Sequence, residues 1–384
     1  MPHPMSNPLQ GRHASARATM AAAGLDALIL VHIPNVRYLT GFTGSTAIVV
    51  MTASELIFIT DGRYTTTIET VVAPNCPGLR LVRVDPTFDA TLARIVTESG
   101  ARAVGFEAAH MTVKRFDWLR SALRTSGGPG GPALQPVDRV VEAIRVVKDE
   151  VEQETFRRAG ALLDAVAGDV LRTVRAGLRE CDLAAEIDYK LRLGGFEKPS
   201  FDTIVASGPH AAMPHARPDD RVLAAGDLVV LDFGGVYDGY CVDLTRTVSV
   251  GEPSQEARRL HAAVAEAQLA GVAAIRPGAP VTDVDEAARG VLERHGLGAA
   301  FCHATGHGLG LEIHEEPRVG PRRADIPGVP PAGRDDTLEA GVVFTVEPGA
   351  YVAGFGGVRI EDDVLVTDDG VAWLTNVPRE LRVV

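Results

Sequence analysis

Two stretches of the chain repeat one order of apolar and polar positions. Residues 223–232 read Leu-Ala-Ala-Gly-Asp-Leu-Val-Val-Leu-Asp, and residues 338–347 read Leu-Glu-Ala-Gly-Val-Val-Phe-Thr-Val-Glu. In each, a turn signal at Gly226 or Gly341 precedes an apolar run, and an acid follows six residues after the glycine, Asp232 in one copy and Glu347 in the other. Apolar runs of this kind predict buried strands that carry a carboxylate to their ends. A second acid comes eleven residues after Asp232, at Asp243, and fourteen residues after Glu347, at Glu361. The spacing predicts a duplicated half-domain with a short insertion in its second copy.

Ahead of the first copy the pattern alternates between helical and strand periods. Residues 14–23 predict a helix closed by Gly24, residues 25–32 a strand, 46–51 with 55–60 a hairpin, 79–84 a strand, and 88–98 a helix. Val104-Gly-Phe and a helix-like stretch over 113–123 complete an α/β domain with a mixed sheet, expected over residues 1–140. Ser126-Gly-Gly-Pro-Gly-Gly-Pro reads as a surface loop, and the charged, periodic residues 141–173 lead by helices into a second domain, 141–384. There the helical pattern runs to about Leu193, residues 201–207 read as a strand, and 256–275 and 281–295 read as helices. Helices, strands, helices and strands in that order predict two α+β halves around one central site, an internal pseudo-twofold repeat. Residues 318–337, rich in Pro, Gly and Arg, predict a long surface loop before the second copy.

The length of 384 residues suits two or three domains, and a hydrophobic fraction of 46% can build large cores. A net charge of −12 argues against a nucleic-acid partner, which would need a basic surface. The four cysteines form no Cys-x-x-Cys pair and are expected to be reduced thiols, with Cys302 a small buried hydrophobe. The start, Met-Pro-His-Pro-Met-Ser-Asn-Pro, lacks the pattern of a signal peptide, and no apolar run is long enough for a membrane span. The expectation is a cytoplasmic protein without membrane attachment.

Four acids delivered by buried strands need compensation, because an unpaired buried carboxylate is very costly. A cation is the simplest answer. Oxygen ligands alone suit magnesium, calcium or manganese, whereas an added imidazole moves the preference toward manganese, iron, cobalt or zinc. His307 offers that imidazole: it lies between the two copies and is flanked by Gly306 and Gly308, which allow close backbone approach. Asp232, Asp243, His307, Glu347 and Glu361 are together enough to hold two divalent ions if carboxylates bridge them. Taken singly, the Asp-Gly-Tyr at 238–240 is an ordinary turn signal and a Gly-His-Gly an ordinary loop. The joint pattern favours a metal site.

From Phe201 to Val384 the chain resembles the pita-bread metallopeptidases, through Pro214-His215-Ala-Arg-Pro, Asp232 to Asp243, Gly306-His307-Gly-Leu-Gly-Leu-Glu-Ile-His314, Thr345-Val-Glu347-Pro-Gly and Gly357-Val-Arg359-Ile-Glu361-Asp-Asp. The resemblance is strongest to the proline-specific branch, prolidase and aminopeptidase P. Asn35-Val-Arg37-Tyr-Leu-Thr-Gly41-Phe-Thr-Gly44-Ser and Thr60-Asp-Gly-Arg63-Tyr64 resemble the amino-terminal domain of creatinase-related enzymes. The resemblance implies hydrolysis of Xaa-Pro bonds by two divalent ions per subunit, with manganese favoured over zinc or cobalt, in a homodimer. It also implies Glu347 as the acceptor and donor of the water proton, and His215 and His314 as groups that hydrogen-bond the substrate. His303, four residues before His307, would line the substrate side, and Arg359 would buffer the carboxylates or touch substrate.

Prolidases cut Xaa-Pro dipeptides, whereas aminopeptidases P remove the first residue of longer peptides. A dipeptidase must recognise the free carboxylate of proline, for which a forked guanidinium is suited. Arg318 in His314-Glu-Glu-Pro-Arg318 is the candidate, with Arg37 or Arg63, supplied by the amino-terminal domain of a neighbouring subunit, as alternatives. Prolidase is the narrower expectation and aminopeptidase P the alternative. A non-catalytic binding protein on the same fold, or creatinase, which uses the fold without metal, fits a complete ligand set less well.

Overall fold

The computed structural model describes residues 7–127, 131–321 and 337–384. Parts of two expected loops, 128–130 and 322–336, and the first six residues lie outside the described residues. The chain divides into two compact units, Met1–Arg145 and Val146–Val384.

The first unit holds α1 (Pro8–Ala22), β1 (Ala27–Leu30), α2 (Ile33–Thr40), β2 (Ile48–Thr52), β3 (Leu56–Thr60), a short α3 (Thr65–Thr67), β4 (Leu79–Arg83), α4 (Phe88–Glu98), β5 (Ala103–Glu107), α5 (Val113–Gly127), β6 (Ala133–Val137) and a short α6 (Glu142–Arg145). Its six strands form one mixed sheet in the order β4-β3-β2-β1-β5-β6, with β1, β5 and β6 parallel and β2 antiparallel to β1 and β3. Ile29, Val50, Ile57, Leu92, Ile95 and Leu119 are among the side chains that bury one face. One helix departs from the periodic reading. The strand expected to reach His32 stops at Leu30, because Pro34 sits in the first turn of α2 and Gly41, at φ 74°, closes it.

The second unit repeats two helices followed by strands. Helices α7 (Glu150–Leu171) and α8 (Glu180–Leu193) precede β7 (Lys198–Pro199), β8 (Ile204–Ser207), β9 (Leu228–Tyr237) and β10 (Tyr240–Ser249). Helices α9 (Gln255–Ala273) and α10 (Val281–Arg294) precede β11 (Gly306–Gly308), β12 (Glu315–Val319), β13 (Val343–Val346), β14 (Gly349–Val352), β15 (Gly356–Arg359), β16 (Asp362–Thr367) and β17 (Gly370–Trp373), and β18 (Arg382–Val383) returns to pair with β10. One sheet runs β18-β10-β9-β7, with β8 also on β9; a second runs β12-β11-β13-β16-β17, and β14-β15 form a separate ribbon.

The duplication read from the sequence is visible in the backbone. Gly226 and Gly341 adopt φ of 92° and 96°, in the region that favours glycine. Each donates to the carbonyl at the far end of its own copy, Gly226 to Val250 at 2.7 Å and Gly341 to Val366 at 2.9 Å. The copies differ where the acid spacing differs. In the first, β9 turns directly into β10 through Asp238 and Gly239, both at positive φ, the two-residue hairpin geometry. In the second, the β14-β15 ribbon intervenes between Glu347 and Glu361.

Helix α7 begins at a capping box, in which Asp149 accepts from Glu152 N at 2.9 Å and Glu152 accepts from Asp149 N at 3.0 Å. Its apolar stripe, with Phe156, Leu163 and Val170, packs with Val229, Leu231 and Leu244 of the long hairpin. Gly160 is the point of closest approach, where a Cβ would collide with the Leu374 carbonyl. Gly160→Ala is therefore expected to destabilise the protein by about 1–3 kcal/mol through overpacking, although alanine is the better helix former. A urea midpoint equal to or above that of the unmodified protein would contradict this packing.

Candidate metal centre

Strand β9 buries Asp232 opposite Thr245 of β10, and Asp243 lies further along β10 opposite Gly234. In the second copy β13 leads straight into Glu347, while Glu361 stands between β15 and β16. Hydrogen bonds stitch the copies together at their acids. Thr245 Oγ1 donates to Glu361 Oε2 at 2.6 Å, Glu361 N donates to Thr245 O at 3.1 Å, and Asp243 N donates to Asp363 Oδ2 at 2.9 Å.

The glycines beside His307 are explained by sterics. A Cβ at Gly306 would meet the Thr345 carbonyl and one at Gly308 the Glu316 carbonyl, so β11 can lie pressed between β12 and β13 only with glycine at both places. His307 Nε2 then stands 3.6 Å from Glu347 Oε1 and 3.9 Å from Asp243 Oδ2. Asp243, His307 and Glu361 offer ligand atoms that all lie within 4.8 Å of one another.

The electrostatics ask for positive charge. Asp232 Oδ1, Asp243 Oδ1, Glu361 Oε1 and Asp363 Oδ1 are buried and accept no hydrogen bond. Burial, reinforced by neighbouring carboxylates, pushes Asp243 and Glu361 well above the usual carboxylate range. Burial pushes Glu347 up to about 8. Burial also pushes His307 down to about 4, leaving a neutral imidazole whose Nδ1 faces the Gly308 carbonyl at 3.2 Å. With the proton on Nδ1, the Nε2 lone pair points at carboxylate oxygens. Lone pair facing lone pair is unfavourable unless a proton or a cation lies between them; raised carboxyls supply the proton in the metal-free protein, and the same donor set fits a divalent metal.

A ring of polar groups surrounds the acids. Arg359 closes β15 with Glu361 just beyond it, both side chains reach Thr245 Oγ1, and the guanidinium pairs with Asp232 of the other copy. Its other donors go to Thr245 Oγ1 at 3.2 Å, Pro214 O at 3.2 Å and the Tyr351 hydroxyl at 2.7 Å. Tyr351, to which the sequence reading gave no role, links Arg359 to His303 Nε2 at 2.9 Å. Burial pushes the Tyr351 phenol up to about 12 and His303 down to about 4. A neighbour four residues after Glu347 was the available signal.

His314 packs its ring against His307, centroids 4.3 Å apart, and its basicity is lowered by burial and then by nearby His215. His215 itself is exposed, on the loop after the turn Gly208–Ala212. The structure thus brings all five acid and imidazole candidates together, with His303, His314 and Arg359 beside them. Arg318 lies on β12 directly opposite His307, a register that puts both side chains on one face of the sheet. The Arg318 side chain is exposed. Arg63 forms a local fork with Asp61 at 2.8–3.2 Å in the first unit, where Arg37 also lies.

The His314 segment has its own anchor: Glu315 Oε1 accepts from Glu312 N at 3.1 Å, and Glu315 Oε2 lies 3.8 Å from fully buried Lys148. A second group of possible metal donors, Glu180, His210 and Asp219, sits on the His215 side. There Glu180 already accepts from Ser207 N at 2.7 Å, Ser207 Oγ at 2.6 Å and pairs with His210 Nδ1 at 3.0 Å, which ties down the turn leading to His215. All four cysteines are free, and Cys302, expected to be buried, is exposed. Among the described residues no helix is long and apolar enough to cross a membrane.

Buried carboxylates and one imidazole, converging from two copies of a strand hairpin, define a metal-dependent hydrolase of the duplicated α+β class. The chain belongs to metallopeptidase family M24, whose model matches residues 154–368, and the Creatinase/Prolidase N-terminal domain model matches residues 12–147. A Xaa-Pro dipeptidase of Pyrococcus furiosus is 40% identical over 249 residues, 65% of this chain and 68% of that protein. Among solved structures, a Xaa-Pro dipeptidase from Bacillus anthracis superposes with a TM-score of 0.90 at 34% identity, covering 98% of this chain and 100% of the other. An X-Pro aminopeptidase from Thermotoga maritima gives 0.83 at 34% identity, covering 96% and 100%.

Linkage between protons and folding gives the centre a test that needs no substrate. Unfolded histidines are half protonated at about pH 6.5 and close to neutral only by about pH 7.5, so above that pH their opposing contribution has faded and the balance is set by the raised carboxylates. They bind more protons folded than unfolded, so stability must fall as pH rises toward about 8, the value for Glu347. Metal-free protein is expected to lose thermal stability as pH rises from about 7.5 through 8, and saturating divalent ions to raise the melting temperature most at the upper end. Melting curves that ignore both pH and added ions would remove the basis of the site.

Proposed function

We propose that the chain hydrolyses Xaa-Pro bonds as a dinuclear metallopeptidase, read most narrowly as a Xaa-Pro dipeptidase. The observation that carries the reading is the set of unpartnered buried oxygens of Asp243 and Glu361 grouped with His307, with a further one on Asp232. Asp232, Asp243, His307, Glu347 and Glu361 are the proposed ligands of two ions. The mixed carboxylate and imidazole donors favour manganese, with zinc or cobalt as alternatives. When bound, such ions polarise a peptide carbonyl and bring the pKa of water near neutrality, as they do in two-metal aminopeptidases generally. The proposal extends to an amino-terminal domain over 1–140, a catalytic domain over 141–384, and a cytoplasmic homodimer.

Glu347 is the proposed proton carrier. Its side chain retains 18% exposure, against 6% for Asp243, so it can reach an attacking water and a leaving nitrogen. His215 and His314 are the proposed hydrogen-bonding groups for substrate, with His303 beside them. Arg359 can serve chiefly as the charge partner of Asp232, because its donors are engaged by protein.

The roles separate experimentally. Asp243→Ala is expected to lose bound metal and activity together. His314→Ala is expected to keep its metal while turnover falls about 10²–10³-fold, the effect typical of a lost transition-state donor. Metal analysis beside single-turnover rates distinguishes them, and a fully active His314→Ala enzyme would end that assignment.

Support for the dipeptidase reading comes from the Pyrococcus furiosus and Bacillus anthracis relatives and from Arg318, which shares a sheet face with His307. The Thermotoga maritima relative supports the aminopeptidase alternative. If Arg318 meets the proline carboxylate, Arg318→Ala should lower kcat/KM for Xaa-Pro by about 10- to 150-fold, the loss of one charge-assisted bond. Cleavage of Xaa-Pro-Yaa, whose carboxylate lies one residue farther on, should change much less. A wild-type enzyme that prefers the tripeptide would instead favour the aminopeptidase.

A further inference from the structure

We propose that the Asp285–Arg289 pair of α10 is a positioning device for His303, an inference that rests on His303 belonging to the substrate side of the centre. Residues 301–305, which carry His303, form no helix or strand of their own. Their backbone is held from outside. Arg289 Nη1 donates to Phe301 O at 3.1 Å and Nη2 to His303 O at 2.9 Å, while the guanidinium lies 4.2 Å over the Phe301 ring. Asp285 fixes that guanidinium with two bonds of 2.9 Å and, through Oδ1, accepts from Thr305 Oγ1 at 2.8 Å and Thr305 N at 3.2 Å.

Two side chains one helical turn apart thus grip residues 301, 303 and 305. An exposed pair at this spacing is worth only a few tenths of a kcal/mol to its helix, but Asp285 is 1% exposed and is committed to the loop. Three contacts aim the ring of His303. Phe301 stacks edge-on against it at 5.0 Å, its Nδ1 faces Ala304 O at 2.8 Å, and its Nε2 faces the Tyr351 hydroxyl at 2.9 Å. Because Arg359 donates to that hydroxyl, the phenol proton is directed to Nε2 and the ring proton to Nδ1. Thr305 O also accepts from Glu347 N at 2.7 Å, so the same grip reaches the adjoining acid. Lysine could keep the charge of Arg289 but could not span Asp285 and two carbonyls at once.

The test uses Arg289→Lys and Arg289→Gln in the full chain, alone and combined with His303→Ala, each loaded with manganese and checked for metal content and melting temperature. Both single variants are expected to stay folded and metal-loaded while kcat on an Xaa-Pro peptide falls about 10- to 100-fold, the scale of a misplacement of about 1 Å. In the His303→Ala background the same changes should add less than about 3-fold, because positioning a missing ring has no effect. A readout independent of activity is the imidazole nitrogen NMR signature of His303, recorded on the diamagnetic zinc-loaded protein and expected as the Nδ1–H form in the wild type and as exchanging forms in Arg289→Lys. Effects that multiply fully with His303→Ala, or an unchanged His303 signature, would overturn the proposal. So would loss of the fold or metal in both arginine variants, which would make the pair a structural brace. Should the wild-type protein not cleave Xaa-Pro peptides, the functional reading fails, and the NMR comparison still decides whether Arg289 positions His303.

Discussion

Five carboxylates, those of Asp232, Asp243, Glu347, Glu361 and Asp363, meet where little water reaches, and the catalytic unit is organised around that concentration of like charge. Taking one ionised carboxylate out of water costs several kcal/mol after relaxation, and neighbours of the same sign add to the penalty. The protein answers part of it with Arg359 on Asp232 and with donors such as Thr245 on Glu361. It places Arg246 and Arg379 one step away, on Asp362, where Gln268 and Thr375 also donate. Asp362 is therefore satisfied by protein, whereas its neighbours Glu361 and Asp363 keep oxygens that accept nothing. That contrast separates an acid whose oxygens are all engaged by protein from neighbours that keep one oxygen over.

Holding such a charge cluster in place requires stiff supports, and the duplicated hairpin supplies them. Each copy presents its first acid on or directly after a central strand, and the hydrogen bonds between Thr245 and Glu361 and between Asp243 and Asp363 join the copies at the acids themselves. Side chains on paired strands are held to finer tolerances than side chains on loops, which suits ligands that must converge within bonding distance. The one proposed ligand outside the duplicated frame, His307, is made rigid differently: two glycines let its strand sit against carbonyls of both neighbours.

Much of this was legible in the sequence, for identifiable reasons. The acids announced themselves because duplication wrote the same turn, strand and acid twice, and His307 because a glycine-flanked imidazole stands between the two copies. The two-half order of helices and strands came from hydrophobic period alone. Other contributors were silent because their role lies in contacts distant in sequence. Thr245 meets Glu361 across 116 positions, and Arg246 meets Asp362 across the same separation. Asp285 and Arg289 read as an ordinary helical ion pair, and Tyr351 as a strand residue. Helix α2 was hidden by its brevity, eight residues whose start is set by a proline and whose end is set by a glycine rather than by a long apolar stripe.

The same physics divides the labour among histidines that composition cannot distinguish. His303 and His307 are both buried and both pushed down to about 4, so basicity does not separate them. Both also turn Nδ1 toward a backbone carbonyl, which fixes the proton there and leaves Nε2 as the free lone pair. What differs is the atom that Nε2 faces. For His307 it is carboxyl oxygen, and a proton or a cation between the two would satisfy both partners. For His303 it is the hydroxyl of Tyr351, oriented by Arg359, which can donate and does so without any ion. An imidazole already holding a proton from tyrosine is a poor ligand and a well-aimed polar wall. Four residues apart, the two rings are distinguished by their second partners, and the partner of His303, Tyr351, comes from a strand far along the chain.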